Sequence, residues 1–326
     1  MTELDLTILL ASLVAGAAPI VLAVLGETIS EKGGVINLSL DGSILLSAMV
    51  AFAVAYQSDS LFLGFAGGAL VGAMLAAVVG FFSVFMGLSQ VAVGFVLTLT
   101  ARDLAYFLGN PYARLYGPQA GIIPIPWLQD LPVLGPIFFH QSLPGYCSVL
   151  LIPLVWWYLY KTPMGLRLRA IGENPEAAYA RGTNTRAIQF WYTVAGGLLV
   201  GLAGAAFSLC TKTGWGRPQG AEGTGWIALA IVIFGGWHPV KTALGAYLFA
   251  FLQIMGIHFQ GWLPSVPAQV FQVAPFPLMI FTLIIMHVAQ KSSAGAPGKG
   301  APWLGGMVKI LSGSAPAGLG RSFRPD

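Results

Sequence analysis

Stretches of about 20 apolar residues recur along most of the chain, and they limit its possible folds more than any other feature. A helix of about 20 residues crosses a bilayer core of about 30 Å, so each stretch is long enough to span a membrane. Of the 326 residues, 56% are hydrophobic and only 9% are charged, whereas a water-exposed surface carries roughly a quarter charged residues. The sequence therefore predicts an integral membrane protein, an all-α polytopic helix bundle.

The apolar runs predict about nine transmembrane helices, within a range of about eight to ten. They lie at about residues 4 to 26, 38 to 57, 61 to 86, 91 to 109, 146 to 160, 190 to 211, 226 to 236, 240 to 260 and 270 to 289. The run WIALAIVIFGG is too short for a straight span unless it begins earlier, near Gly220. A re-entrant segment, whose irregular backbone is covered by protein or lines a water-filled cavity, is the alternative.

The distribution of positive charge predicts the orientation. Strict alternation of nine spans puts residues 161–189 and the end of the chain on one side, with twelve Lys and Arg residues there and three on the other side. Lys and Arg concentrate in the cytoplasm, so we expect the C-terminus inside and the N-terminus outside. Residues 1–290 then form one membrane domain, and residues 291–326, rich in Gly, Ser, Ala and Pro, form a flexible basic cytoplasmic tail.

The stretch LGETISEKGGVINLSLDG, residues 25–42, gathers charge in an otherwise apolar region. We expect Glu27 and Glu31 in a solvated cytoplasmic turn between spans 1 and 2, where charge costs little. Asn37 and Asp41 are four residues apart and share a face if span 2 is already helical there. They form either the polar lip of a pore or a clasp that holds span 2 to a neighbouring helix.

Other polar side chains in the apolar runs are candidates for the lining of a transport path. With the pair just described, the full set is Asn37, Ser39, Asp41, Gln90, Thr98, Thr100 and Gln253. Each could instead satisfy the hydrogen-bonding groups of a neighbouring helix. Few carboxylates lie within the spans, which weighs against a proton- or sodium-coupled carrier without excluding one.

Catalytic and metal-binding patterns are missing from the sequence. The four histidines are spread over loops and span ends, the two cysteines make no metal motif, and no P-loop or nucleophile elbow occurs. The sequence therefore predicts neither an enzyme nor a metal site, and any energy from ATP must come from another protein.

Small residues recur at four-residue spacing in two spans, at Gly64, Gly68 and Gly72 and at Gly197, Gly201 and Ala205. Such spacing lets helix backbones approach closely, so it predicts a compact bundle.

A short helix is predicted in the loop at residues 161–189. Asn174 is a favourable N-cap, Pro175 suits the first helical position, and Gly182 marks the end, so ENPEAAYAR forms about two turns outside the bilayer. Two turns cannot stay helical alone in water, and the segment needs packing from a partner or from the bundle. It is either a docking element or an ordinary basic loop.

The same loop carries a family resemblance. GLRLRAIGENPEAAYARGTN followed by AGGLLVGLAGA resembles the cytoplasmic coupling region and next span of the membrane permease subunits of ABC importers, in the nucleoside and simple-sugar branch. Related permeases carry branched-chain amino acids. Three further stretches agree in the same order: LGETISEKGGVINLSLDGSILLSAM, IPIPWLQDLPVLGPIFFHQS and GTGWIALAIVIFGGWHP. The resemblance covers roughly residues 20 to 290.

The resemblance implies half of an importer in the plasma (inner) membrane of a prokaryote. Its implied partners are a second permease, expected to be a sister chain, a cytoplasmic ATPase that binds ATP and magnesium, and an external solute-binding protein. The residues implied to contact the ATPase are Glu173, Asn174, Pro175, Ala177, Ala178, Arg181 and Gly182. Asp41 stands where similar sequences often have Glu, Ser39 where they often have Gly, and the tail has no counterpart. An ATP-independent carrier or channel is the alternative function.

Overall fold

A computed structural model describes residues 6–262, single positions at 266, 270, 277 and 281, and residues 314–321 with Phe323. The described chain is mostly helical. The helices are α1 (Leu6–Lys32), α2 (Leu40–Ser58), α3 (Leu61–Gly80), α4 (Gln90–Gly109), α5 (Leu134–Phe138), α6 (Leu143–Lys161), α7 (Pro163–Glu173), α8 (Pro175–Ala180), α9 (Thr185–Ala206), α10 (Thr224–Phe234) and α11 (Pro239–Trp262). A π-helical turn extends α3 to Phe85 and another extends α9 to Thr211.

Six of the described helices are long and apolar enough to cross a membrane, and α10 is a shorter apolar helix. The six are α1, α2, α3, α4, α6 and α9 with their extensions. The prediction of a polytopic helical membrane protein is confirmed, and these helices coincide with predicted spans. The predicted total of about nine stays a prediction, because most of the run at 270–289 lies outside the described residues.

The α1 helix corrects the expectation for its two glutamates. It continues to Lys32, well past the predicted end near residue 26, and Glu27 and Glu31 lie within it. Their side chains are 1% and 3% exposed, so the prediction of a solvated turn was wrong. The chain reverses only after them, at Gly33 and Gly34, where Gly34 has a φ of +90° that favours glycine.

The small-residue spacing brings α3 and α9 into backbone contact, as predicted. A Cβ on Gly72 would lie 2.5 Å from the Cα of Gly201, and one on Gly68 would lie 2.9 Å from the Cβ of Ala205. The same kind of approach occurs between α1 and α9, where a Cβ on Gly196 would lie 3.3 Å from the carbonyl carbon of Gly26. We call the α3–α9 contact the glycine seam.

Two elements begin inside the bundle rather than at its ends. After the turn, residues 35–39 run back without regular structure, and α2 starts only at Leu40. This start lies beside the middle of α4, since a Cβ on Gly42 would lie 2.8 Å from the Cα of Thr98. The start of α10 lies against it, because a Cβ on Gly225 would be 2.6 Å from the carbonyl carbon of Leu40.

The α10 helix explains why its apolar run looked too short for a span. Its 11 residues measure about 16 Å, roughly half of a bilayer core. The preceding irregular residues approach the far end of α4, where the backbone N–H of Arg114 donates to the carbonyl of Trp215 at 2.9 Å. The segment therefore crosses the bundle in two parts, first as irregular chain and then as a half-length helix.

The loop between α4 and α6 contains the short helix α5 together with two strands that the sequence did not reveal. These strands, β1 (Ile122–Pro124) and β2 (His140–Ser142), pair antiparallel with Ile123 opposite Gln141.

The described part of the C-terminal tail departs from the expectation of a flexible segment. Pro316 and Gly318 are buried, and the backbone N–H of Gly318 donates to the carbonyl of Gly172, at the end of α7, at 2.8 Å. This piece of the tail and the loop that contains α7 and α8 therefore lie on the same side of the bundle.

Candidate functional site

The irregular segment at residues 35–39 and the starts of α2 and α10 form a cluster of buried polar groups, which we call the polar junction. Five of the seven candidate path residues belong to it, and each is at most 4% exposed. They are Asn37, Ser39, Asp41, Gln90 and Thr98.

Side chains from α1 and α4 satisfy the backbone of the irregular segment. The Gln90 Oε1 atom accepts from the N–H of Ile36 at 2.8 Å, and Glu27 Oε1 accepts from the N–H of Asn37 at 2.9 Å. Thr98 Oγ1 donates to the carbonyl of Leu38 at 2.6 Å. Because buried backbone groups need partners, these three side chains allow the buried chain to stay irregular there.

Asn37 and Ser39 form hydrogen bonds just before the start of α2. Asn37 lies outside the helix, and its Oδ1 atom accepts from the Ser39 N–H at 3.1 Å and from the Ser39 hydroxyl at 2.6 Å. The Ser39 hydroxyl also lies 3.1 Å from that of Ser43. The idea that Asn37 and Asp41 share a helix face is therefore wrong, because α2 begins between them.

Asp41 connects α2 to α10. Its Oδ1 atom accepts from the backbone N–H of Gly225, in the first turn of α10, at 3.2 Å. The first N–H groups of a helix lack intrahelical partners, and the helix dipole favours a negative group there. Of the two sequence-based readings of Asp41, this contact corresponds to the clasp.

The other two candidate path residues lie elsewhere. Thr100 is exposed on α4, and its hydroxyl donates to the Val96 carbonyl of its own helix at 2.9 Å. Gln253 is exposed on α11. The structure thus brings five of the seven together and leaves two on the outer surface of this chain.

Sequence reasoning missed the buried acids as part of the site. Besides the contact of Glu27 with Asn37, Glu31 accepts a hydrogen bond from the indole N–H of Trp237, which follows α10. The polar junction is therefore tied to both ends of α10. The signal in the sequence was the four-residue spacing of the two acids, which keeps them on one face of a continuing helix.

His238 lies next to this contact, between α10 and α11, with its ring centroid 5.1 Å from that of Tyr160. Burial, followed by the positive charges of Lys241 and Lys32, lowers the pKa of His238.

A second polar cluster lies in the irregular segment before α10. Glu222 accepts hydrogen bonds from the Tyr106 hydroxyl and from the N–H of Gln219, the latter at 2.7 Å, and the Arg217 guanidinium lies 4.7 Å from the Tyr106 ring centroid. Next to it opens a cavity of about 590 Å³, lined in part by Arg114, Tyr116, Lys212, Trp215 and Gln219. We call this cavity the vestibule, and it lies at the end of the bundle away from α8. Its volume is in the range of small-molecule sites, roughly 300–1,000 Å³.

The short helix predicted after Asn174 is present as α8. Asn174 Oδ1 accepts from the N–H of Ala177 at 2.9 Å, Pro175 occupies the first turn, and Gly182 follows the helix with a φ of +80°. Every residue of α8 is at least partly exposed. Among the residues implied to contact an ATPase, Pro175 and Ala178 are half-buried, and Glu173, Asn174, Ala177, Arg181 and Gly182 are exposed.

The α7 helix, which the sequence reading did not separate, anchors α8 to the bundle. Leu168 and Ile171 are fully buried, and a Cβ on Gly172 would lie 3.1 Å from the carbonyl carbon of Lys32. On the other side of α8, the Gln189 amide of α9 donates to the Gly33 carbonyl at 2.9 Å. Both neighbours of α8 therefore contact the turn after α1.

Within the described part of the chain, no group of three or more His, Cys, Asp or Glu side chains could hold a metal ion. Cys147 and Cys210 are free thiols.

Comparison with known proteins agrees with this architecture. A family described as "Branched-chain amino acid transport system / permease component" matches residues 9–283. The chain is 36% identical over 256 residues to a putative glucose ABC transporter permease protein of Haloferax volcanii, covering 77% of this chain and 78% of the relative. It is 31% identical over 295 residues to a nucleoside ABC transporter permease protein of Lactococcus lactis, covering 86% and 92%.

A guanosine ABC transporter permease protein of Bacillus subtilis is 32% identical over 302 residues, covering 85% of this chain and 91% of the relative. No solved structure matches the chain. The family match and these relatives show that the chain belongs to the family of branched-chain amino acid permease components and is a membrane permease of the ABC transporter class, a transport subunit rather than an enzyme.

Proposed function

We propose that this chain is the permease subunit of an ATP-driven importer and forms half of a path for a small polar solute, a nucleoside or a simple sugar. The relatives named as glucose, nucleoside and guanosine permeases support this solute class. The vestibule supports it too, because cationic, aromatic and amide side chains can contact the hydroxyl groups and rings of such solutes.

The observation that carries the proposal is the exposure of α8 together with its anchoring. A six-residue helix is too short to be stable alone, yet both of its neighbours are fixed to the buried core. An exposed short helix with fixed neighbours suits docking into a groove of an ATPase, through Glu173 to Gly182.

The contacts on either side of α8 suggest how movement at the ATPase would reach the solute path. The α7 and α9 helices both contact the turn at Gly33 and Gly34. That turn leads directly into residues 35–39 and, through Asp41, to the start of α10. Helices that begin within the membrane are common at transport sites. A shift of α8 would thus be passed to the polar junction, where side-chain hydrogen bonds can exchange partners.

The proposal includes the remaining predicted features. The partners are a sister permease, an ATPase that binds ATP and magnesium, and an external solute-binding protein. The side of the bundle that bears α8 faces the cytoplasm, with the N-terminus and the vestibule outside. The path runs along the polar junction, where Asp41 acts as the clasp of α10, and Thr100 and Gln253 face the sister permease.

Uptake into proteoliposomes tests the function. The complete complex, with the binding protein present, is supplied with radiolabelled glucose, nucleosides and branched-chain amino acids, with and without ATP. We expect uptake of a nucleoside or a sugar only with ATP. Uptake by this chain alone without ATP would instead establish the carrier or channel alternative.

Substitutions on α8 test the docking surface. We expect the Ala177→Trp/Arg181→Glu double variant to lose the ATPase on co-purification, because both side chains are exposed on or beside α8. The matched control is Arg167→Glu, which alters an exposed charge on α7. Equal recovery of the ATPase with both variants would refute α8 as the docking element.

A further inference from the structure

The described tail residues, 314–321 and Phe323, contact three separate parts of the same surface. We call these residues the tail brace. The family resemblance covers roughly residues 20 to 290 and gave this segment no role, and its Gly, Ser, Ala and Pro composition predicted a flexible tail. A flexible tail would make few fixed contacts, whereas these residues form hydrogen bonds and packing contacts with the bundle.

Backbone hydrogen bonds hold the tail brace at both ends of the surface. The N–H of Gly318 donates to the Gly172 carbonyl at 2.8 Å, and the N–H of Ala317 donates to Glu173 Oε2 at 3.1 Å. The N–H of Gly320 donates to the Gly34 carbonyl at 3.1 Å. The brace therefore bridges the end of α7 and the turn after α1.

Side chains extend this bridge to α8. The Phe323 ring lies 5.5 Å, between centroids, from the ring of Tyr179 in α8, and Leu319 packs against the hydrophobic core. A cavity of about 340 Å³ remains between the brace and the start of α8, lined in part by Glu176 and Arg321. Ala177 and Arg181 stay exposed, so the brace leaves the opposite face of α8 open to a partner.

Two glycines make this close contact possible. A Cβ on Gly318 would lie 2.8 Å from the Gly172 oxygen and 3.1 Å from Pro175 Cδ, and real Cβ contacts are rarely so short. Gly320 has a φ of +75°, in the region that favours glycine. Glycine at these two positions thus fits a docked brace, although a glycine-rich composition alone suggests a flexible segment.

The position of the brace matters because only short irregular connections join α8 to its neighbouring helices. It is joined to α7 by Asn174 alone, in extended conformation, and to α9 by a turn that contains Gly182. Without a further support, a force on α8 would bend these connections before it moved the turn at Gly34. The brace spans from α8 to Gly34 directly.

From these contacts we propose that the tail brace positions α8 and passes its movement to the turn after α1. This inference rests on the proposed function of α8 as the docking element. The brace is a positioning segment. It makes the step from ATP hydrolysis to rearrangement of the polar junction efficient, and the ATPase binds through the open face of α8.

The test compares uptake with ATP hydrolysis in proteoliposomes that contain the complete complex. In Gly318→Val we expect ATPase recovery and hydrolysis close to wild type, but at least about fivefold less solute moved for each ATP, the lower range of a typical coupling between sites. Amide exchange of residues 176–180 should also become faster. The control is Ala315→Val, since Ala315 is exposed in the same segment.

A chain that ends at residue 313 is the second variant, and it covers the case in which Gly318→Val disturbs folding. Unchanged solute moved per ATP in both variants would overturn the inference. Weaker ATPase binding would make the segment part of the docking surface, and stronger binding would make it a cover over α8. Either result also overturns the brace.

The Ala177→Trp/Arg181→Glu variant separates the two proposals. If that variant keeps its ATPase, the proposed function of α8 fails. If it loses its ATPase while both brace variants stay fully coupled, only the inference about the brace fails.

Discussion

At the glycine seam, α3 and α9 touch backbone to backbone, whereas at the polar junction the helices are joined through side-chain hydrogen bonds. A Cβ on Gly72 would overlap Gly201, which leaves the seam no room for adjustment. The junction instead contains an irregular segment and two helix starts held by Glu27, Gln90 and Asp41. Close-packed apolar contacts resist displacement, while hydrogen bonds can exchange partners. The bundle thus has a rigid side and a side suited to rearrangement.

Gly72→Leu should have the largest effect on folding, because the new side chain would meet backbone atoms of α9 at the glycine seam. The new side chain would start 2.5 Å from the Cα of Gly201 and could fit only if the helices separated. Overpacking of a core costs about 1–3 kcal/mol, and more where backbone must move. We expect loss of monodisperse protein in size-exclusion chromatography after detergent extraction.

The matched control for the seam is Gly67→Leu in the same helix. A Cβ on Gly67 would lie 3.4 Å from Val54 Cγ2 and meets side chains only. This variant should be recovered nearly as wild type. Equal loss of both variants would mean that α3 tolerates no leucine, and the contrast between backbone and side-chain contacts would fail.

Glu27→Ala removes a buried acceptor from the polar junction. The Asn37 N–H would lose its partner while remaining buried, which costs about 1–3 kcal/mol. Thermal unfolding in detergent should therefore begin at a lower temperature. Glu27→Gln keeps a carbonyl oxygen and should recover most of the stability, and if it does not, the charge matters more than the acceptor.

Asp41→Ala should have a smaller effect, because it removes a single cap from α10. Loss of an N-cap acceptor costs about 1 kcal/mol, and Asp41→Asn keeps an oxygen that can accept from Gly225. We expect Asp41→Asn to retain stability, assembly with the ATPase and uptake. If Asp41→Asn loses uptake and keeps its stability, Asp41 lines the solute path and is more than a clasp.

The sequence predicted the features that follow from periodicity and local chemistry. Long apolar runs, the spacing of Gly68 and Gly72, and the capped helix after Asn174 each depend on residues close together in the chain. These features appear in the structure near their expected positions, because a hydrophobic run and a cap need little tertiary context.

The features that escaped prediction depend on distant partners. Glu27 looked solvated because its acceptor role for Asn37 exists only when the chain folds back along α1. The tail looked flexible because its bonds to Gly172 and Gly34 use backbone groups, which no composition reveals. Whether Asp41 is a clasp or a pore lip depends on the group that its side chain contacts. That group is the N–H of Gly225, which is 184 residues away in the chain.

Asn174→Ala should give the smallest effect, because it removes a helix cap at an exposed site. Asn174 caps α8 through the Ala177 N–H, as Asp41 caps α10, but its side chain is exposed and water can replace it. We expect unchanged thermal unfolding of the bundle and faster amide exchange of residues 176–180 alone, measured by mass spectrometry. Asn174→Asp keeps the acceptor and should leave the exchange as in wild type. A drop in the unfolding temperature with Asn174→Ala would mean that α8 folds together with the bundle. The exposed cap at Asn174 and the buried cap at Asp41 would then contribute similarly to stability.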